Sequence, residues 1–134
     1  MNKRLQIYKD HKSIISFDLD GVICKHPGSI KLPSDEFSKI HKHAAKIINN
    51  LYASGHYIII HTARISGKKN WQGKHAKDIK KKLKEFLVEN GVFFHEIWDS
   101  VGKPPADLYV DDRAYRFIGW QELKNYVNMF HKRS

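Results

Sequence analysis

Apolar positions in this chain fall into short unbroken runs separated by longer stretches with a helical rhythm. Residues 14–19 (IISFDL) and 57–61 (YIIIH) are continuous apolar runs of strand length, rich in β-branched side chains. Residues 92–98 (VFFHEIW) and 108–110 (LYV) read as a third and a fourth strand. Between them apolar side chains recur every three to four residues. After Pro33 and Ser34, the residues Phe37, Ile40, Ala44, Ile47, Ile48 and Leu51 share one face of an expected helix that Gly55 stops. Ala76, Ile79, Leu83 and Phe86 line a second helix closed by Gly91, and Leu123, Val127 and Phe130 form the buried side of a C-terminal one. The first dozen residues have no such rhythm; Leu5 and Ile7 fit a small extra strand. Strands that are apolar throughout and alternate with helices predict an α/β fold. The expected form is a Rossmann-like three-layer sandwich with a mainly parallel sheet covered on both faces.

A length of 134 residues suits one domain, 1–134, with a single modest core, and no repeat or linker-like stretch divides it. Apolar residues make up 41%, an ordinary globular share that argues against disorder. The lone Cys24 excludes an internal disulfide and a cysteine-rich zinc site. The opening MNKRLQIYKDHK lacks the apolar centre of a signal peptide, and no run reaches the roughly 18 apolar residues of a membrane span. A cytoplasmic protein with no membrane partner is the expectation.

Charge changes the picture more. The formal net charge is +10, and nine Lys or Arg lie between Arg64 and Lys84 against the single acid Asp78. Such a stripe suits nucleic acid, an anionic membrane or a small anionic substrate. It equally suits a solvated helix face, because Lys74, Lys77, Lys81 and Lys84 fall opposite the apolar stripe.

The polar residues that end the strands carry the chemistry. Ligands of parallel sheets bind beyond the carboxyl ends of the strands. Asp18 and Asp20 end the first strand, Thr62 follows the second, and Asp111 and Asp112 follow the fourth, with Lys103 in the loop before it. Four carboxylates on one edge repel: a unit-charge pair at ~4 Å costs about 4 kcal/mol at an effective dielectric near ~20. A hard divalent cation relieves this, and Mg²⁺ prefers oxygen ligands with a few waters. A lysine and a hydroxyl beside Mg²⁺ suit a tetrahedral oxyanion, phosphate above all. Of two neighbouring aspartates, one can then attack phosphorus while the other moves protons.

FDLDGV, IIIHTAR and GKPPADLYVDD resemble, in order, the four motifs of haloacid-dehalogenase-type phosphatases, and the likeness runs from Phe17 to Asp112. The first motif departs from the family's common form at Val22, where Thr is frequent; this costs a loop hydrogen bond and leaves the chemistry intact. The resemblance implies that Asp18 is the nucleophile of an aspartyl-phosphate pathway. It makes Asp20 the general acid and then base, Thr62 a holder of phosphoryl oxygens, and Lys103 a counter-charge. It assigns Mg²⁺ to Asp18, Asp20 (through its carbonyl) and Asp111 with Asp112 assisting, and the motif leaves open which of these last two touches the metal. The interval from Val22 to Pro33 is too short for a cap domain, and that from Ile65 to Gly91 holds one helix, so no cap domain is expected. This short form most resembles the small phosphatases of capsule and surface-polysaccharide biosynthesis, which implies a sugar phosphate or polysaccharide precursor as substrate.

Arg64 and the loop residues Lys68, Lys69 and Trp71 are candidates for binding that substrate; for Arg64 the plainer alternative is a salt bridge. A nucleic-acid 3′-end phosphatase or nucleotidase is the rival enzyme, since an uncapped site admits polymer ends. A non-catalytic basic binding module is the rival of another class, but it has no need of a nucleophile. Response-regulator receivers also gather acids, a Thr and a Lys, yet their phosphorylated Asp ends the third strand and they lack paired acids after a late lysine. A homo-oligomer is compatible with everything above.

Overall fold

The computed structural model describes residues 3–26, 32–33, 35–65 and 75–129. They form α1 (Lys3–Asp10), β1 (Ile14–Asp18), α2 (Ala44–Ala53), β2 (Tyr57–His61), α3 (Ala76–Glu89), β3 (Glu96–Ile97), β4 (Leu108–Val110) and α4 (Trp120–Met129). The strands make one sheet in the order β3-β2-β1-β4, and every pairing is parallel. This is the expected α/β, Rossmann-like arrangement.

Handedness explains the layers. From β1 to β2 to β3 the chain steps outward in one direction, so right-handed crossovers put α2 and α3 on the same face. The packing agrees: Ile48 of α2 and Ile79, Leu83 and Leu87 of α3 share a core with Ile15, Phe17, Ile58 and Ile60. Alternate residues Ile14, Tyr57 and Ile59 point the other way, into a smaller core closed by Ile7 of α1, Trp98 and Ala106. Burial on both faces is why YIIIH shows no alternation in sequence.

Several elements differ from the expectation. The N-terminal segment is a helix with no fully buried residue, held to the sheet by Ile7 and by an Arg4–Glu96 ion pair at 2.6 Å. So thin an apolar edge leaves little periodicity to read. The helix expected after Pro33 begins only at Ala44, because His43 has a left-handed φ of 72°. Ahead of it Ile40 bridges Cys24, and Phe37 and Ile40 still reach the core, so their spacing marked burial without helicity. β3 is confined to two residues. Asn49 holds the turn before it, accepting from Phe93 N–H (2.8 Å) and donating to Gly91 O (2.7 Å). α4 buries no residue: Val127 is 58% exposed, and Phe130 lies outside the described residues.

One histidine makes stability depend on pH. The His95 ring stacks between Tyr52 and Tyr57 (centroids 4.3 and 4.5 Å), and its Nδ1 accepts from Ile58 N–H at 2.9 Å. An accepting Nδ1 carries no proton. Burial, reinforced by His11 and opposed by Glu96, holds the His95 pKa below the ordinary histidine value. Below about pH 6.5 the unfolded chain therefore binds more protons than the folded one. The contribution of the neutral ring is complete above that pH and is lost as pH falls through the folded value. Between pH 7 and 5, Tm of the wild type should drop more than that of His95→Asn, whose amide oxygen can accept the same bond without titrating. Parallel Tm–pH curves for the two chains would remove His95 from this role.

Candidate functional site

In a parallel sheet the ligand crevice opens where neighbouring connections leave in opposite directions. Here that point lies between β1 and β4, since the chain departs from β1 towards β2 and later returns to β1's other side. Phe17 pairs in register with Val110, so the residues that follow, Asp18 on one strand and Asp111 and Asp112 on the other, emerge side by side. One carboxylate oxygen from each of Asp18, Asp111 and Asp112 lies within 4.8 Å of the other two. These three acids, with Asp20, Thr62, His26, Ala63 and Arg113, line a cavity of about 290 Å³.

Asp18 is half-buried and its Oδ1 accepts from Leu19 N–H at 2.9 Å. Burial raises its pKa to about 6; the charges of Asp111, Asp112 and Asp20 push the same way, against the Leu19 bond. A carboxylate held in that environment is a strong candidate for a cationic partner. The donor set consists of oxygens only, two of the three acids are exposed, and room for water remains. Those features fit Mg²⁺.

Local chemistry brings the two strands' acids together. Gly21 has φ 84°, and a Cβ built on it would collide with the Asp112 carboxylate. A glycine here lets the acid after β4 lie against the loop after β1. That loop is closed by Gly21 N–H to Cys24 O (2.8 Å) and Cys24 N–H to Leu19 O (2.9 Å). Asp111 Oδ1 accepts from Arg113 N–H at 2.7 Å. Cys24 itself is buried, and burial pushes its thiol up to about 12, so it stays an unreactive core residue.

Thr62 meets its expected position. It is 2% exposed, lines the cavity, and its Oγ1 accepts from Arg64 N–H at 3.2 Å, which leaves its own proton to donate. Asp20 lines the cavity but its carboxylate is not in the acidic triad; it faces Arg64 instead, in an ion pair at 2.9 Å. Arg64 is thus found in the salt bridge that was the plainer alternative. Lys103 lies beside the site and is not among the residues lining the cavity: its Nζ sits 4.5 Å from the centroid of the Tyr109 ring. It is close enough to His61 that, after burial, its charge helps lower the pKa of that imidazole, while Asp111 pulls it up. Lys68, Lys69 and Trp71 lie outside the described residues. Asp107 is at the opposite end of the sheet, where its Oδ2 accepts from Ile14 N–H at 2.8 Å and braces the start of β1.

Two polar side chains of the cavity, Arg113 and His26, stand outside the sequence motifs' assigned roles. Arg113 directly follows the paired acids and was within reach of that argument. His26 offers no pattern at all; only the return of the β1 loop towards the sheet brings it in.

No protein-family model matches the sequence, and no curated protein matches it. Among solved structures, a conserved protein coded by a locus from Bacteroides thetaiotaomicron is similar with a TM-score of 0.53. The likeness covers 87% of this chain and 90% of that one at 18% sequence identity, and it concerns the fold. Fold and site together define a small α/β protein with an acidic cluster at the switch point of its parallel sheet. Among the described residues, no helix is long and apolar enough to cross a membrane.

Proposed function

We propose that this chain is a Mg²⁺-dependent phosphomonoesterase of the haloacid-dehalogenase type, acting on a small phosphorylated metabolite. A sugar phosphate or capsule-polysaccharide precursor is the substrate class that its motifs resemble. The observation that carries the reading is the meeting of Asp18, Asp111 and Asp112 in one cavity that Asp20 and Thr62 also line. Mg²⁺ bound by Asp18, Asp111 and Asp112 would offset their charge and that of the phosphoryl oxygens.

The residues divide the work as follows. Thr62 donates a hydrogen bond to a phosphoryl oxygen, and Lys103 adds positive charge from the rim. An Asp18 carboxylate oxygen attacks phosphorus; an O–P bond forms while the ester O–P bond breaks, and Asp20, once it has taken up a proton from solvent beside the Arg64 fork, gives that proton to the leaving oxygen. Asp20, now ionised, takes a proton from water, which attacks the phosphorus of the aspartyl-phosphate. Inorganic phosphate leaves and Asp18 is restored.

The basic composition favours one competing substrate, a nucleic-acid end, and a single assay series separates the two. Phosphorylated sugars, nucleotides and an oligonucleotide with a terminal phosphate are screened for phosphate release across a range of salt. The metabolite reading expects turnover of a small sugar phosphate with KM rising only mildly, because a desolvated pocket is weakly screened. A polymer spread over the lysine-rich surface would instead show log affinity falling with log salt at about −0.7 per phosphate contacted on a single strand. Efficient removal of an oligonucleotide's terminal phosphate with a slope of several units would transfer the activity to nucleic acid. Release of phosphate from none of them would end the phosphatase reading.

A further inference from the structure

We propose that Arg64 acts through Asp20, as a positioning residue that holds this carboxylate and ties it to Pro33, Glu36 and Phe37, and does not itself grip the substrate phosphate. This rests on the phosphatase reading above and concerns the regulation of its acid. The guanidinium is already engaged. Its Nε donates to Asp20 Oδ2 and its Nη2 to Asp20 Oδ1, both at 2.9 Å. Nη1 donates to Pro33 O at 3.2 Å and also to Glu36 O. The planar group lies 5.1 Å from the centroid of Phe37, and only 12% of the Arg64 side chain is exposed.

A rigid fork with a carboxylate on one side and two carbonyls on another has little left for a ligand, but it defines the plane and reach of that carboxylate. Lysine, a point charge, could not reproduce this set. The support continues outward. Arg64 N–H is held by Thr62 Oγ1, so the turn that presents Thr62 also delivers the guanidinium to Asp20. Phe37 packs on Phe86 of α3 with ring centroids 5.0 Å apart. The loop after β1, the turn after β2, and Pro33, Glu36 and Phe37 therefore meet on one side chain. Without it the Asp20 carboxylate loses both guanidinium bonds that fix its orientation.

The test is a double-mutant cycle read on two leaving groups. Arg64→Ala and Arg64→Lys are made alone and with Asp20→Asn, and assayed on 4-nitrophenyl phosphate and on glycerol phosphate. An alkyl leaving group needs the proton from Asp20, and a nitrophenolate does not. Arg64→Ala should lower kcat for glycerol phosphate on the order of 10²-fold and for the aryl ester by less than about tenfold, with KM little changed. Once Asp20 is Asn, removing Arg64 should cost nothing further, and Arg64→Lys should recover part of the loss. A raised KM, an equal loss on both esters, or a full additional loss beside Asp20→Asn would mean that Arg64 touches substrate, and would overturn the proposal. A merely structural role would lower Tm and leave the ratio of the two esters alone, which also overturns it. If the wild type releases phosphate from neither ester nor from the metabolite screen, the functional reading fails and the link is read separately by NMR. The Arg64 Nε–H should then exchange slowly in the wild type and rapidly in Asp20→Asn; equal exchange in both chains would refute the positioning role whatever the activity.

Discussion

Asp18→Asn is expected to abolish turnover, with steady-state activity at least about 10⁴-fold below wild type, the scale on which removal of a nucleophile acts. An amide is a poor nucleophile, and it is a weaker ligand for a hard cation. The fold should survive, and this makes the result interpretable. The amide oxygen can still accept the Leu19 N–H bond, and the change removes a carboxylate that burial and three neighbouring acids disfavour. Asp18 titrates at about 6 in the fold against 3.8 for an ordinary aspartate, so the folded chain binds the proton more tightly between those values. The stability from the protonated form is lost as pH rises through about 6. In metal-free buffer, Asp18→Asn should therefore match the wild-type Tm below about pH 4, exceed it by a growing margin between about pH 4 and 6, and keep that margin at higher pH. Steady-state activity within about 10⁴-fold of wild type in a clean Asp18→Asn preparation would defeat the assigned chemistry; a lowered Tm at neutral pH would defeat the electrostatic account of the site.

Removing Mg²⁺ with a chelator should silence the enzyme, and Ca²⁺ should fail to restore it. Calcium's higher, looser coordination leaves the nucleophile misplaced even where the charge is balanced. A readout independent of activity accompanies this. Binding to the folded chain alone stabilises it by about 2.7 kcal/mol at a metal concentration ~100 times Kd, so Tm should rise on titration with Mg²⁺ at neutral pH. The rise should shrink below about pH 6, where protons compete for Asp18. Asp111→Asn and Asp112→Asn, compared by the same titration, separate the acid that carries the cation from the one that assists. Both acids are exposed; Asp112 lies against Gly21, whereas Asp111 accepts the Arg113 N–H. Full activity in excess chelator would remove the metal from the mechanism.

The parts of this protein that could be read without coordinates are those governed by local chemistry. Ile58, Ile59 and Ile60 are all 0% exposed, and β-branched residues in an unbroken run have few other ways to be buried than as a central strand. LYV at 108–110 and the helix from Ala76 were legible for similar reasons of composition and period. The acids at the strand ends followed, because a carboxylate directly after a buried strand has only one place to emerge.

What the tertiary structure decided is which neighbours those acids have. The covering of the second sheet face by α1 depends on one side chain, Ile7, and on an Arg4–Glu96 pair separated by 92 positions in sequence. The 35–43 stretch has helical spacing but no helix, since contact with Cys24 and with the core outweighs its weak propensity. Asp20, Arg64 and Asp112 each stand out in sequence, but their neighbours do not: the Asp20–Arg64 and Gly21–Asp112 pairings are set by the parallel order β2-β1-β4, which brings three loops to one edge. Period and composition act over one or two turns of chain, whereas charge pairing and steric fit act over a few ångströms of space. A chain written in one dimension therefore specifies its strands and their terminal acids, and only the folded sheet specifies which carboxylate meets the guanidinium and which three converge.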